Sequence, residues 1–434
     1  MNKMADVLGR AGAWCGQNKY LSAIKNAFQN FMPLTIAGAI GVLWCNVLVN
    51  DQTGLGLFFK PIMALDFLNP AFQAVNFCTI SCITVGITLG IAQEIGVWNM
   101  GAERAGYIPG LVGLAAWLSV TNTSHMVDGA KEAFTGIAGN ELGATGLFTG
   151  MIIGVLSVEL FCFFEKQDAL KIKMPEQVPP GVARAFEVLV PATITLIITA
   201  CIGSACYNLT GLYLNDVIKN GIQGPLGAVG ATIPGVMIIY LVIMLFWLVG
   251  IHGNNMLSAV KEALFTPLAL ENVEKFNKGE KPTNIINMYA LQMWGEFGGS
   301  GVTIGLVIAI MIFGKREDNK AIASLSLVPG LFNINETVTF GIPMVLNPIL
   351  GIPFVVAPLI TIIIGYVLTV IGFCPVACLT VPWTTPPIVF GFLATGANIM
   401  GAVTQAILIV VSTVIYVPFL ISYEKYQNKQ AAEA

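Results

Sequence analysis

Apolar residues fall in long unbroken runs along this chain, separated by short polar connections. The clearest runs are Phe186–Tyr207, with Glu187 at its rim, Thr232–Gly250 and Gly401–Tyr423. An apolar run of about 18 or more residues is long enough to cross the hydrocarbon core of a bilayer as a helix. The pattern predicts spans near 31–50, 72–92, 108–120, 147–164, 186–207, 232–250, 301–313, two within 340–395, and one at 401–423. The expected fold class is an all-α polytopic membrane protein with about ten transmembrane helices.

Composition agrees. The chain is 56% hydrophobic and only 10% charged, whereas a soluble domain carries about 25% charged residues. A net charge of −3 without basic clusters argues against a nucleic-acid partner. Pairs such as Cys78/Cys82 and Cys374/Cys378 lack the spacing of zinc or redox motifs, and most cysteines sit in apolar stretches as small hydrophobes. Residues 1–30 lack the core and cleavage site of a signal peptide. There Lys3, Arg10, Lys19 and Lys25 alternate with apolar residues, which predicts an amphipathic helix on the inner membrane face.

Basic residues mark the cytoplasmic side of a membrane protein. The N-terminus carries four, and the 165–186 connection carries Lys166, Lys171, Lys173 and Arg184. The 50–71, 121–146 and 211–231 connections carry one each, Lys60, Lys131 and Lys219. With an inside N-terminus the first five spans therefore obey the rule and the 211–231 connection falls outside; both termini of the chain are expected in the cytoplasm. Beyond Gly250 it fails. Lys275, Lys278 and Lys281 mark one stretch as cytoplasmic, and Lys315, Arg316 and Lys320 mark the next, although a single pass separates them. This predicts a re-entrant segment, which a membrane tolerates only inside protein or beside a water-filled cavity. The near-repeat GIPMVLNPIL-GIPFVVAPLI adds Pro343, Pro348, Pro353 and Pro358 at five-residue intervals. Each proline removes a helix donor, so broken or re-entrant segments are expected there. Discontinuous helices of this kind form substrate sites in many transporters.

Four motifs carry the candidate chemistry. Between Lys320 and Glu424 the only charged residue is Glu336, flanked by Asn333 and Asn335. Burying a carboxylate in a membrane costs at least about 2.5–3.5 kcal/mol, so by default such a residue is functional. The plainer alternative is a carboxyl bonded to loop amides. A carboxylate beside amides suits hydroxyl-rich ligands, which need both donors and acceptors. His252 lies in VGIHGNNML between Gly250 and Gly253, followed by Asn254 and Asn255. The glycines allow close backbone approach, and the alternative is a helix-capping histidine. His125, the other histidine, reads as a solvated loop residue. WGEFGGSGVT holds Glu296 and Gly299 in a glycine-rich turn opening a hydrophobic run. Its amides can attract anions or hydroxyls, or it is a close-packing turn; no Lys-Ser/Thr follows, so it is not a nucleotide loop. TVPWTTPPI presents Trp383 on a rigid irregular loop, as a sugar-stacking face or an interfacial belt residue.

Taken together, Gly250–Asn255, Gly295–Gly301, Asn333–Thr337 and Pro382–Pro387 resemble the membrane-embedded IIC subunit of the phosphoenolpyruvate-dependent sugar phosphotransferase system, in its lactose/cellobiose/diacetylchitobiose branch. The similarity spans nearly the whole chain, with Thr337 standing where proline is expected after the Glu. The resemblance implies ten spans with re-entrant hairpins in the C-terminal half and a homodimer in a bacterial cell membrane. Residues 1–230 would form the dimerising scaffold and 231–434 the transport domain. A β-linked disaccharide would bind near His252 and Glu336, with Asn254, Glu296, Gly299, Asn333, Asn335 and Trp383 around it. Transport would be elevator-like. A separate cytoplasmic IIB protein, charged by IIA, would phosphorylate the sugar from a phosphocysteine, because 434 residues leave no room for a fused soluble domain. The chain itself would be no enzyme and would hold no cofactor or metal. An ion-coupled secondary sugar transporter is the alternative, but such carriers place several ionisable groups along the pathway. A membrane enzyme lacks support, with two histidines and no HExxH or GxSxG motif.

Overall fold

The computed structural model describes Arg10, Trp14 and residues 17–433, apart from 52–54, 126–133, 176, 343, 345 and 346. Pro343, Lys131 and most of the expected 1–30 segment before Gln17 lie outside the described residues. The described residues are mainly helical. Among the described residues the strands are Ser124–His125 and Phe134–Thr135, paired antiparallel with His125 opposite Phe134. Two compact units result, one containing 17–38 and 75–228, the other containing 39–74 and 229–434. The division falls near residue 229, but 39–74 groups with the later unit.

The earlier unit holds most of α1 (Lys19–Leu43), with α2 (Ile83–Met100), α3 (Ile108–Val120), α4 (Ala144–Glu165) and α5 (Pro180–Thr210). The separate amphipathic helix expected over 1–30 is not what 19–30 form. Those residues open α1, and Ala23 and Ala27 are buried rather than lying on a membrane surface. Small residues bring α2 and α4 together: a Cβ on Gly150 would lie 2.2 Å from Thr88 Oγ1. This is the small-residue packing that membrane helices use in place of a hydrophobic driving force. Leu189, Ile197 and Ile202 of α5 point outward and are exposed, as a lipid-facing surface requires. At one end of the unit, Glu165 accepts from Arg104 Nε (2.8 Å) and Arg184 Nη1 (2.9 Å), and Glu187 pairs with both arginines. This network places the α2–α3 connection, the end of α4 and the start of α5 on one face.

The later unit contains α6 (Ile233–Leu248), α7 (Gly253–Asn277), α8 (Met288–Gly295), α9 (Ile304–Phe313), α10 (Glu317–Leu331), α11 (Glu336–Gly341), α12 (Gly351–Val370), α13 (Val389–Ala394) and α14 (Ile399–Glu433). Its core gathers Tyr240, Trp247, Phe265, Trp294, Phe297, Phe354 and Tyr416. Two expectations change here. The prolines do not break 351–370, which is one 20-residue helix. Pro353 sits in the first turn, where the amide would lack a partner anyway, and only Pro358 is internal.

The charge-parity argument also fails. Gly396, just before α14, packs against Phe276, whereas Lys315 N–H donates to Glu424 near the other end of α14 (2.8 Å). The 26 residues from Ile399 to Glu424 span about 38 Å, so the two basic stretches occupy opposite ends of a membrane-length helix. A discontinuity does occur between them, because Met288–Val302 and Ile304–Phe313 meet at 60°. Among the described residues five helices are long and apolar enough to cross a membrane, or seven if each bent pair is one span. Ile108–Val120 and Ile233–Leu248 are shorter apolar helices.

Candidate functional site

The break between α8 and α9 is built by glycine. Gly298, Gly299 and Gly301 have φ of +68°, +86° and +79°, values that L side chains rarely adopt. The turn they form meets the start of α7, the segment before α11 and the Pro382–Pro387 loop around a cavity of about 210 Å³. His252, Asn254, Glu296, Gly299, Asn333, Asn335, Glu336 and Trp383 all line it. Asn255, Gln292, Phe297, Ser300, Ile334, Phe390 and Gln405 complete the wall. His125 lies in the other unit.

His252 both caps α7 and faces the cavity. Its Nδ1 accepts from the Asn255 N–H at 3.2 Å, so the neutral ring carries its proton on Nε2. That Nε2 lies 3.9 Å from Glu336 Oε1, too far for a direct hydrogen bond. Trp247 packs against the ring at 4.4 Å between centroids and holds it in place. A hydroxyl oxygen about 2.8 Å from both atoms would subtend close to a right angle. It could accept from His252 and donate to Glu336 at once. The expected burial of Glu336 is corrected: its side chain is 47% exposed, opening to the cavity. An accessible carboxylate keeps its solvation until a ligand arrives, which avoids the cost of a dry charge. The glycine at 253 also has a different cause from ligand approach. A Cβ there would lie 2.0 Å from Ile243 O, so the α6–α7 turn needs the space.

The asparagines divide by role. Asn333, itself at φ +62°, donates to Trp383 O (2.5 Å) and Thr385 O (3.1 Å), while its Oδ1 accepts from Gly298 N–H (2.6 Å). Its amide hydrogens are fully engaged, so it braces two loops rather than reading hydroxyls. Asn335 Nδ2 donates to Ser300 O at 2.7 Å. Asn254 Nδ2 donates to Ser300 Oγ at 2.9 Å, but among the described residues its Oδ1 has no partner, and neither has Gln292 Oε1. Gln405 is another brace, accepting from Ile388 and Gly391 N–H and donating to Met293 O. The open groups are mostly acceptors, beside the aromatic surfaces of Trp383, Phe297 and Phe390.

Glu296 is held from behind. Tyr240 donates to its Oε1 at 2.6 Å, and buried Lys261 forms an ion pair with the same oxygen. Lys261, Tyr240, Gln292, Ser300 and Gln405 were not marked by the sequence. A lysine inside the otherwise weakly charged start of α7 was the available signal.

Gly299→Ala tests the turn. Its φ of +86° and ψ of −174° belong to a glycine-only region, and a Cβ would meet Asn335 Cγ at 2.6 Å. A loss of about 1–3 kcal/mol is expected from the backbone alone, read as a lower melting temperature in detergent.

Membrane-length helices around a polar, aromatic-edged cavity define a polytopic membrane protein that handles a small polar solute. The chain matches the family model "Phosphotransferase system, EIIC" over residues 25–358, and it belongs to that family. It is 33% identical over 413 residues to the oligo-beta-mannoside-specific EIIC component of Bacillus subtilis (strain 168), covering 94% of this chain and 90% of that one. It is 30% identical to the cellobiose-specific EIIC component of Lactococcus lactis subsp. lactis (strain IL1403), covering 98% of each. The crystal structure of ChbC, the IIC component from the N,N'-diacetylchitobiose-specific phosphotransferase system, superposes with a TM-score of 0.88 at 29% identity, over 97% of each chain.

Proposed function

We propose that this chain is the membrane permease subunit of a phosphoenolpyruvate-dependent sugar phosphotransferase system and that it binds and translocates a β-linked disaccharide. The observation that carries this is the 3.9 Å gap between His252 Nε2 and Glu336 Oε1, within an acceptor-rich, aromatic-edged cavity. The relatives named for oligo-β-mannoside, cellobiose and diacetylchitobiose support the substrate class. Glu336 accepts from a sugar hydroxyl that His252 orients, and Trp383 stacks on the apolar face of a ring.

The proposed architecture is ten spans with re-entrant hairpins and cytoplasmic termini. Residues 1–230 form a dimerising scaffold, against which 231–434 move in an elevator-like manner. The sugar leaves after phosphorylation by a cytoplasmic IIB phosphocysteine protein supplied by IIA; this chain is the transport subunit, not the phosphoryl donor.

The test is calorimetric titration of the purified chain with a panel of β-linked disaccharides, followed by reconstitution into vesicles. Saturable binding is expected, with sugar phosphate formed only when phosphoenolpyruvate and the soluble donor proteins are added. Uptake that persists without phosphoenolpyruvate and collapses with an uncoupler would instead establish an ion-coupled carrier.

A further inference from the structure

Two carboxylates, Glu296 and Glu336, line the cavity, and no lysine or arginine lines it among the described residues. Lys261, behind Glu296, is buried and already engaged with that carboxylate. From residue 321 to 423 the chain contains no lysine or arginine at all. His252 is neutral while its Nδ1 accepts the Asn255 N–H. The start of α7 has positive character, but His252 caps it and Glu336 stands 3.9 Å from the same ring. Once Lys261 cancels Glu296, the cavity keeps the single negative charge of Glu336.

Recognition of a phosphate or carboxylate draws on arginine, lysine, a metal or free backbone amides, and in the glycine turn the Gly298 N–H already donates to Asn333 Oδ1 and the Gly299 N–H to Glu296 O. We propose that this cavity admits neutral sugars and rejects anionic ones, including a sugar that has just gained a phosphoryl group, with Glu336 as the specificity-determining residue. The inference rests on the permease reading above. In the transfer, the donor's S–P bond breaks and leaves a thiolate, an O–P bond forms at the sugar hydroxyl, and the hydroxyl proton passes to solvent. A neutral ligand thereby acquires about −1.5 to −2 charges at pH 7. The carboxylate that accepted the hydroxyl's hydrogen bond then repels the product, as an exclusion element separate from the attractive contacts. Release of the product and retention of unreacted sugar follow from one side chain.

The experiment is calorimetric titration of the full chain in detergent with cellobiose, cellobiose phosphorylated on a primary hydroxyl, and cellobiouronic acid, at low and high salt. The wild type is expected to bind the anionic ligands at least ~100-fold more weakly than cellobiose, as one opposed charge pair at about 6 Å and an effective dielectric of about 20 implies. In Glu336→Gln the gap is expected to shrink at least about tenfold, even though cellobiose itself binds less tightly. In the wild type, about 0.5 M salt should narrow the gap, because screening weakens repulsion but leaves steric exclusion unchanged. Comparable wild-type affinity for neutral and anionic ligands would overturn the proposal. So would a gap that neither the substitution nor salt alters. If the variant does not fold, the wild-type salt series decides alone. A wild type that binds no neutral β-linked disaccharide refutes the permease reading itself, an outcome distinct from the others.

Discussion

Lys261→Met is expected to destabilise the later unit by about 3–5 kcal/mol, the cost of leaving one member of a buried ion pair uncompensated. Lys261 and Glu296 have side-chain exposures of only 7% and 16%, so cavity water replaces the lost ammonium only in part. Tyr240 still donates to Glu296 Oε1, but a neutral hydroxyl does not balance the charge. Because Glu296 lines the cavity, sugar affinity falls together with stability. The double variant Lys261→Met/Glu296→Gln removes both charges and keeps an amide oxygen for Tyr240. It is expected to recover most of the melting temperature, since replacing a complete buried pair is often neutral. Thermal unfolding of the two variants in detergent checks this. A single variant as stable as the wild type, or a double variant no better than the single, would show that the pair does not organise the cavity wall.

Glu336→Gln is expected to weaken disaccharide binding by about 10- to 150-fold while leaving the melting temperature nearly unchanged. The affinity range corresponds to one charge-assisted hydrogen bond of about 1.5–3 kcal/mol. Stability is spared because the carboxylate is half exposed to the cavity and lies 3.9 Å from His252 Nε2, beyond hydrogen-bond distance. His252→Ala should also weaken binding, but it is a less clean test. It removes the acceptor for the Asn255 N–H at the start of α7, and losing such a cap costs about 0.5–2 kcal/mol. Wild-type affinity in both variants would refute the site.

Much of the cavity was legible because each of its residues is locally anomalous. Glu336 is one acid in a hundred uncharged residues, His252 one of two histidines between glycines, and Trp383 an aromatic among prolines. All eight marked positions line the same cavity. Their division of labour was not legible. Asn333 resembles a hydroxyl reader by residue type, yet its side chain ties residues 298, 383 and 385 together. Lys261 was overlooked because its partner is 35 residues away. The basic stretches after Gly250 misled for a related reason: residue counts treat every connection as equivalent, while α14 shows that these two occupy its opposite ends.

What the amino-acid order determined by itself is the class of molecule. Apolar run length is a local property, and a bilayer forces each such run to satisfy its backbone hydrogen bonds internally as helix. What only the tertiary structure decided is which polar atoms are paired and which remain open to a ligand. Among the described residues Asn254 Oδ1 and Gln292 Oε1 have no partner, and Glu336 Oε1 stands 3.9 Å across from His252 Nε2. The amides of Asn333 and Gln405 are occupied. That distinction depends on side chains brought together from distant parts of the chain, and no local pattern records it.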